Sequence, residues 1–180
     1  MTTDLDAALE LVSGSPEMTR AFAADLAAVA APGDLICLWG DLGAGKTVFA
    51  KGFGAGLGIR DTILSPSFVL MGEYAGRLPL FHIDLYRLAT AIEALDGGLL
   101  DDRQVTGVVL IEWPDRLGAS LPDDRLDVRI DGGADEPRSL RLTAHGTVHR
   151  RYLAAARAAG AIGVAGATGA TGTNGARAAS

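Results

Sequence analysis

The chain has 180 residues, 48% of them hydrophobic, with 16 Lys and Arg against 22 Asp and Glu and a net charge of −6. That length suits one domain with a sizeable core, and a single cysteine, Cys37, excludes an internal disulfide framework and a cysteine-ligated zinc site within one chain. Fourteen of the basic and all 22 acidic residues lie in residues 1–153, which carry −8, so tight direct binding of nucleic acid through clustered Lys and Arg is not expected.

Met1 to Ala8 contain two Asp and no Lys or Arg, the wrong charge for a secretory leader, so a reducing, cytoplasmic setting is expected. Ser15-Pro16-Glu17 reads as an N-cap, a proline at the first helical position and an acid in the first turn of an Ala-rich helix ending near Pro32-Gly33. A strand is predicted at Leu35–Trp39, then a Gly-rich turn, then a helix from about Lys46 to Leu57. Further short apolar runs lie at Ile63-Leu64, Phe68–Met71, Leu78–Ile83, Val108–Ile111 and Leu126–Ile130, with a weaker one at Leu140–Leu142. Uninterrupted apolar runs suit strands covered on both faces, and their alternation with helical patterns predicts an α/β sandwich with a largely parallel central sheet.

Composition changes at about residue 154. Of the last 27 residues 12 are Ala and 6 are Gly. The glycines recur every third position from Gly160 to Gly175, yet the absence of proline argues against a collagen triplet. The uncharged stretch Ala158–Ala176 holds only Ile162 and Val164 as strongly apolar residues, too few for a membrane span. Residues 1–153 are therefore expected to form the domain, and residues 154–180 a disordered tail.

Gly40-Asp41-Leu42-Gly43-Ala44-Gly45-Lys46-Thr47 matches G-x-x-x-x-G-K-[ST] in full, with a strand running in and a helix leaving. The glycines permit positive φ, so successive N–H groups can face inward at the positive end of a helix and form a nest for a phosphate. Lys46 is placed to reach β- and γ-phosphates and the Thr47 hydroxyl to ligate Mg²⁺. Gly52-Phe53-Gly54-Ala55-Gly56-Leu57-Gly58 superficially resembles a dinucleotide fingerprint, but it lies inside a helix and neither register completes the third glycine.

Mg²⁺ and an attacking water at such a loop need carboxylates at the ends of neighbouring strands. Two apolar runs end that way, Leu80 to Asp84 and Val108 to Glu112. His82, between Phe81 and Ile83, reads as a structural histidine with its polar atoms satisfied. Trp113 could shield a nucleotide or close the core. Ser65-Pro66-Ser67-Phe68 could sense a γ-phosphate, although its chemistry alone favours an ordinary loop.

Taken together, Gly40 to Thr47, Ser65-Pro66-Ser67-Phe68, His82-Ile83-Asp84-Leu85-Tyr86-Arg87 and Leu110-Ile111-Glu112-Trp113-Pro114 resemble the bacterial TsaE family over roughly residues 13 to 150. The resemblance implies a small α/β P-loop NTPase-like sandwich, an ATPase of tRNA threonylcarbamoyladenosine biosynthesis that binds ATP and Mg²⁺ and hydrolyses ATP slowly alone. It implies that Thr47 and Glu112 hold Mg²⁺, that Lys46 binds phosphate, and that Asp84 stands beside the γ-phosphate or its water. The implied nucleotide contacts are Gly43, Ala44, Gly45, Lys46, Thr47 and Val48, with Thr19, Asp84 and Trp113. The implied partners are the TsaD and TsaB subunits, which transfer the threonylcarbamoyl group to adenosine 37. Ser67 and Val48 stand where the family usually has threonine, so a second hydroxyl beside Thr47 is missing. A small-molecule kinase using Asp84 as base is the alternative on the same loop, although no Arg-rich lid accompanies it.

Overall fold

In the computed structural model, residues 8–88, 105–133 and 137–159 are described. Their strands are β1 (Ala8–Ser13), β2 (Asp34–Trp39), β3 (Met71–Tyr74), β4 (Leu80–Asp84), β5 (Val108–Glu112), β6 (Arg125–Asp131) and β7 (Arg138–His145). Their α-helices are α1 (Pro16–Ala27), α2 (Lys46–Gly56) and α3 (Arg150–Ala158), and a 3-10 segment runs from Pro114 to Ser120. The strands form one sheet in the order β1-β7-β6-β2-β5-β4-β3. The central pairs β6-β2, β2-β5 and β5-β4 are parallel, while the edges β1-β7, β7-β6 and β4-β3 are antiparallel. The expected α/β class with a largely parallel centre is therefore what the chain adopts.

Burial explains the mixture. The strands β2, β4 and β5 are covered on both faces and read as continuous apolar runs. By contrast, β6 and β7 alternate buried and exposed residues, because among the described residues helices cover only the face that carries Leu126, Val128, Leu140 and Leu142. On that face Phe22 and Leu26 of α1, Phe49 and Phe53 of α2 and Tyr152 and Leu153 of α3 complete the main core. On the opposite face Cys37, Phe81, Ile83, Val109 and Ile111 pack with Leu85, Leu88 and Leu117.

Ser15 caps α1 as its sequence implies, its side chain accepting from Met18 N at 3.2 Å, with Pro16 in the first turn. The glycines of α2 serve contact between helices. A Cβ on Gly52 would lie 2.3 Å from the Arg20 carbonyl oxygen, and one on Gly56 2.4 Å from that of Ala24, so α1 and α2 meet backbone to backbone.

Several expectations about elements are corrected. The run Phe68–Met71 is not a strand: Val69 N and Leu70 N both donate to Pro66 O, which folds a turn and leaves Phe68 and Val69 exposed. Strand β3 starts only at Met71. Ile63 is buried but belongs to no strand. Strand β1 and helix α3 carried no strong sequence signal, and α3 crosses residue 154, where the tail was expected to begin. Residues 160–180 of that expected tail lie outside the described residues.

Helix α3 is fastened by polar contacts as well as by Tyr152 and Leu153. Buried Asp34, at the start of β2, accepts from the Arg151 guanidinium, the Tyr152 hydroxyl and Ala31 N, while His149 Nε2 accepts from Leu35 N at 3.3 Å. Among the described residues no helix is long and apolar enough to cross a membrane.

Candidate functional site

The site forms where β2, β4 and β5 end and α2 begins. Strand β2 runs into the loop Gly40–Gly45, in which Gly40, Gly43 and Gly45 take φ of 139°, 82° and 113°, values open to glycine and strained for other residues. Gly40 has a second constraint, since a Cβ there would lie 2.3 Å from Ile130 O. Gly45 caps α2 without any side-chain hydrogen bond, so the helix presents uncapped amides at its positive end.

A cleft of about 350 Å³ opens there. The loop and α2 line it with Leu42, Gly43, Gly45, Lys46, Thr47 and Val48. Ser65, Ser67, Asp84, Tyr86, Glu112 and Trp113 form the other wall. The parallel register of β4 and β5 sets Asp84 directly opposite Glu112, so two acids from distant parts of the chain share one rim.

The side chains are already organised. Thr47 Oγ1 donates to Glu112 Oε1 at 3.0 Å, and His82 Nε2 lies 2.9 Å from the same oxygen. Lys46 Nζ donates to Gly40 O at 2.7 Å and Asp41 O at 2.8 Å and sits 3.9 Å from the centre of the Trp113 ring. Burial pushes the Lys46 ammonium below its ordinary pKa, against the opposing pull of the Glu112 and Asp84 carboxylates. Asp84 Oδ2 accepts from Ser65 Oγ at 2.7 Å and from Ser67 Oγ, while Oδ1 accepts from Tyr86 N at 2.9 Å. Trp113 holds φ 62°, ψ 50°, costly for a bulky residue, and packs against Tyr86 with ring centroids 5.0 Å apart.

Of the residues singled out in the sequence, Gly43, Gly45, Lys46, Thr47, Val48, Asp84, Glu112 and Trp113 meet at this cleft. Ala44 and Thr19 do not line it. Ala44 is buried and its amide donates to Asp41 O, whereas fully buried Thr19 has its hydroxyl engaged by Ser13 Oγ and Ser15 O. The Ser65–Ser67 loop, which its own chemistry made ordinary, brings two hydroxyls onto Asp84. Sequence reasoning missed Arg138, whose Nε donates to Ala44 O at 2.8 Å behind the loop. No local motif could have flagged it, because 94 residues separate the two.

The family model described as "Threonylcarbamoyl adenosine biosynthesis protein TsaE" matches residues 13–140. The chain belongs to the TsaE family. It is 45% identical over 133 residues to the tRNA threonylcarbamoyladenosine biosynthesis protein TsaE of Bacillus subtilis, covering 73% of this chain and 83% of that one. To the protein of the same name from Treponema pallidum it is 37% identical, covering 74% and 99%. The crystal structure of Bacillus subtilis YdiB superposes with a TM-score of 0.65 at 38% identity, covering 84% of this chain and 93% of that one. The TsaE match contains the whole phosphate loop, both rim acids and Trp113.

The donor set fits a magnesium nucleotide. An uncapped helix start and a lysine can receive phosphate oxygens, and a threonine hydroxyl beside a carboxylate is the hard-oxygen pair that Mg²⁺ takes from protein. Among the described residues no group of three or more His, Cys, Asp or Glu could hold a metal ion.

Proposed function

We propose that this TsaE-family chain binds ATP with Mg²⁺ in the cleft and hydrolyses it, slowly by itself and faster with partner subunits. We propose further that this cycle supports the TsaD–TsaB complex that places a threonylcarbamoyl group on adenosine 37 of tRNA. The observation that carries the reading is the convergence of Lys46, Thr47, Asp84 and Glu112 on one cleft at the strand ends.

In this reading the amides of Gly43 and of Gly45 to Val48 cradle the phosphates while the Ala44 amide stays on Asp41 O, and Lys46 exchanges its two loop carbonyls for phosphate oxygens. Thr47 and Glu112 hold Mg²⁺, which when bound neutralises charge on the transferred phosphoryl group. Asp84, steadied by Ser65, Ser67 and the Tyr86 amide, is placed to orient a water and accept its proton. Trp113 and Tyr86 wall the cleft against bulk water. Nothing in this set performs the transfer to tRNA, and a chain carrying −6 suits docking to protein better than gripping tRNA. The Bacillus subtilis and Treponema pallidum relatives are both named for tRNA threonylcarbamoyladenosine biosynthesis, which supports the same assignment, and the setting in this reading is cytoplasmic.

The test is an assay of phosphate release from ATP with Mg²⁺, with and without purified TsaD and TsaB. Slow release alone, stimulated by both subunits, is the expected result. Absence of ATP binding, or phosphate found on a second small substrate instead of in water, would overturn the reading.

A further inference from the structure

His82 is placed where a core hydrocarbon would be the simpler choice. It is fully buried on β4, flanked along the strand by Phe81 and Ile83, and its register partners are Gly72 on β3 and Leu110 on β5. Neither register partner offers a polar side chain. Its Nε2 reaches Glu112 Oε1, two residues further along β5, while Nδ1 is buried and has no hydrogen bond among the described residues. An unpaired buried polar atom is costly, and leucine or phenylalanine would fill the same place without that cost. A role confined to packing therefore leaves the imidazole unexplained.

Its one hydrogen bond supplies the explanation. Glu112 is itself buried, and a buried carboxylate needs donors. Both of its donors, Thr47 Oγ1 and His82 Nε2, fall on Oε1, so Oε2 is left uncommitted among the described residues. The two donors come from different elements, one from the helix after the phosphate loop and one from the neighbouring strand. Thr47 belongs to the proposed metal pair and is free to exchange its bond for a ligand, whereas His82 does not line the cleft and stays fixed.

We infer that His82 is a positioning residue: donation from Nε2 to Glu112 Oε1 fixes the carboxylate in the orientation that receives Mg²⁺. This rests on the magnesium–nucleotide reading of the cleft. Hydrogen-bonding partners of metal ligands commonly change metal affinity by about 10–100-fold when removed.

The experiment uses the full chain with a fluorescent ATP analogue, titrated with Mg²⁺ and, separately, in EDTA. Three variants are compared: His82→Leu, which removes the donor, His82→Gln, whose amide can take the place of Nε2, and His82→Asn, which is polar but too short to reach. Expected results are a Mg²⁺ midpoint raised about tenfold or more in His82→Leu and His82→Asn, and one within about threefold of wild type in His82→Gln. Affinity in EDTA stays unchanged in all three. A wild-type Mg²⁺ midpoint in folded His82→Leu would overturn the inference, as would equal behaviour of the Gln and Asn variants should the Leu variant not fold. Equal loss of nucleotide affinity with and without Mg²⁺ would overturn it too, because that marks general damage to the fold. Wild-type protein that binds no nucleotide under either condition would instead remove the reading of the cleft on which the inference rests.

Discussion

Arg138 Nε donates to the carbonyl oxygen of Ala44, 94 residues earlier in the chain, at 2.8 Å. The first residue of β7 thereby braces the phosphate loop from behind, and Arg138 is nearly buried in doing so. Arg138→Met should lower stability by about 1–3 kcal/mol in urea unfolding, the range for a buried carbonyl left without its donor. It should also weaken ATP binding several-fold; unchanged affinity in a destabilised protein would show that the brace serves the fold alone.

Within the cleft, Lys46 and Glu112 should fail differently. Lys46→Ala removes a charged donor to phosphate and should cost about 10–100-fold in ATP affinity, with or without Mg²⁺. Glu112→Ala should retain nucleotide binding in EDTA and lose Mg²⁺-dependent phosphate release by about 10-fold or more. Calorimetric titration paired with a phosphate assay separates the two, and identical profiles would break the division of labour assigned here.

The α2 glycines give a contrast that helix propensity alone would invert. Gly→Ala ordinarily favours a helix by about 1 kcal/mol. At Gly52 and Gly56, however, the new methyl would press on the α1 backbone at 2.3 and 2.4 Å, which only a shift of the helices relieves. At Gly54 the nearest atom is the terminal methyl of Ile63, at 2.0 Å, and a side chain can rotate away. Gly52→Ala and Gly56→Ala should each destabilise by about 1–3 kcal/mol, and Gly54→Ala by less. A denaturant series on the three variants is sufficient to check the order.

Asp34 should be among the most sensitive positions away from the cleft. Asp34→Ala leaves the buried Tyr152 hydroxyl and the Ala31 amide without their acceptor, while the part-exposed Arg151 guanidinium keeps Val29 O, and should cost about 1–3 kcal/mol. Loss of far-ultraviolet helical signal at lower urea than wild type would register it. A variant with wild-type stability would mean that α3 is held by Tyr152 and Leu153 packing alone.

Cys37 should be inert in the folded protein. It has no exposed surface, and burial, reinforced by the Asp127 charge, pushes its thiol far above the ordinary value, so negligible thiolate exists near pH 8. A thiol-reactive dye should label one group per chain in denaturant and none in buffer. Rapid labelling of native protein would mean that β2 opens readily.

The phosphate loop, Lys46, Thr47 and both rim acids were legible in the sequence because their chemistry is local. Backbone nests need glycines at fixed spacing, and an acid closing an apolar strand marks a strand end whatever surrounds it. The same locality made the Ser15 cap, α2 and the strands β2, β4 and β5 readable. Only tertiary structure could decide that Asp84 and Glu112 stand side by side, since strand order and register come from pairing between segments distant in sequence. The same holds for the two serines on Asp84, for Arg138 behind the loop and for His82 on Glu112. It also removed Thr19 from the cleft wall, by closing its hydroxyl into a buried contact with Ser13. Strand β1 and helix α3 were illegible for a related reason. Their short, weakly patterned sequences are stable only once β7, α1 and the buried Asp34 carboxylate are there to receive them.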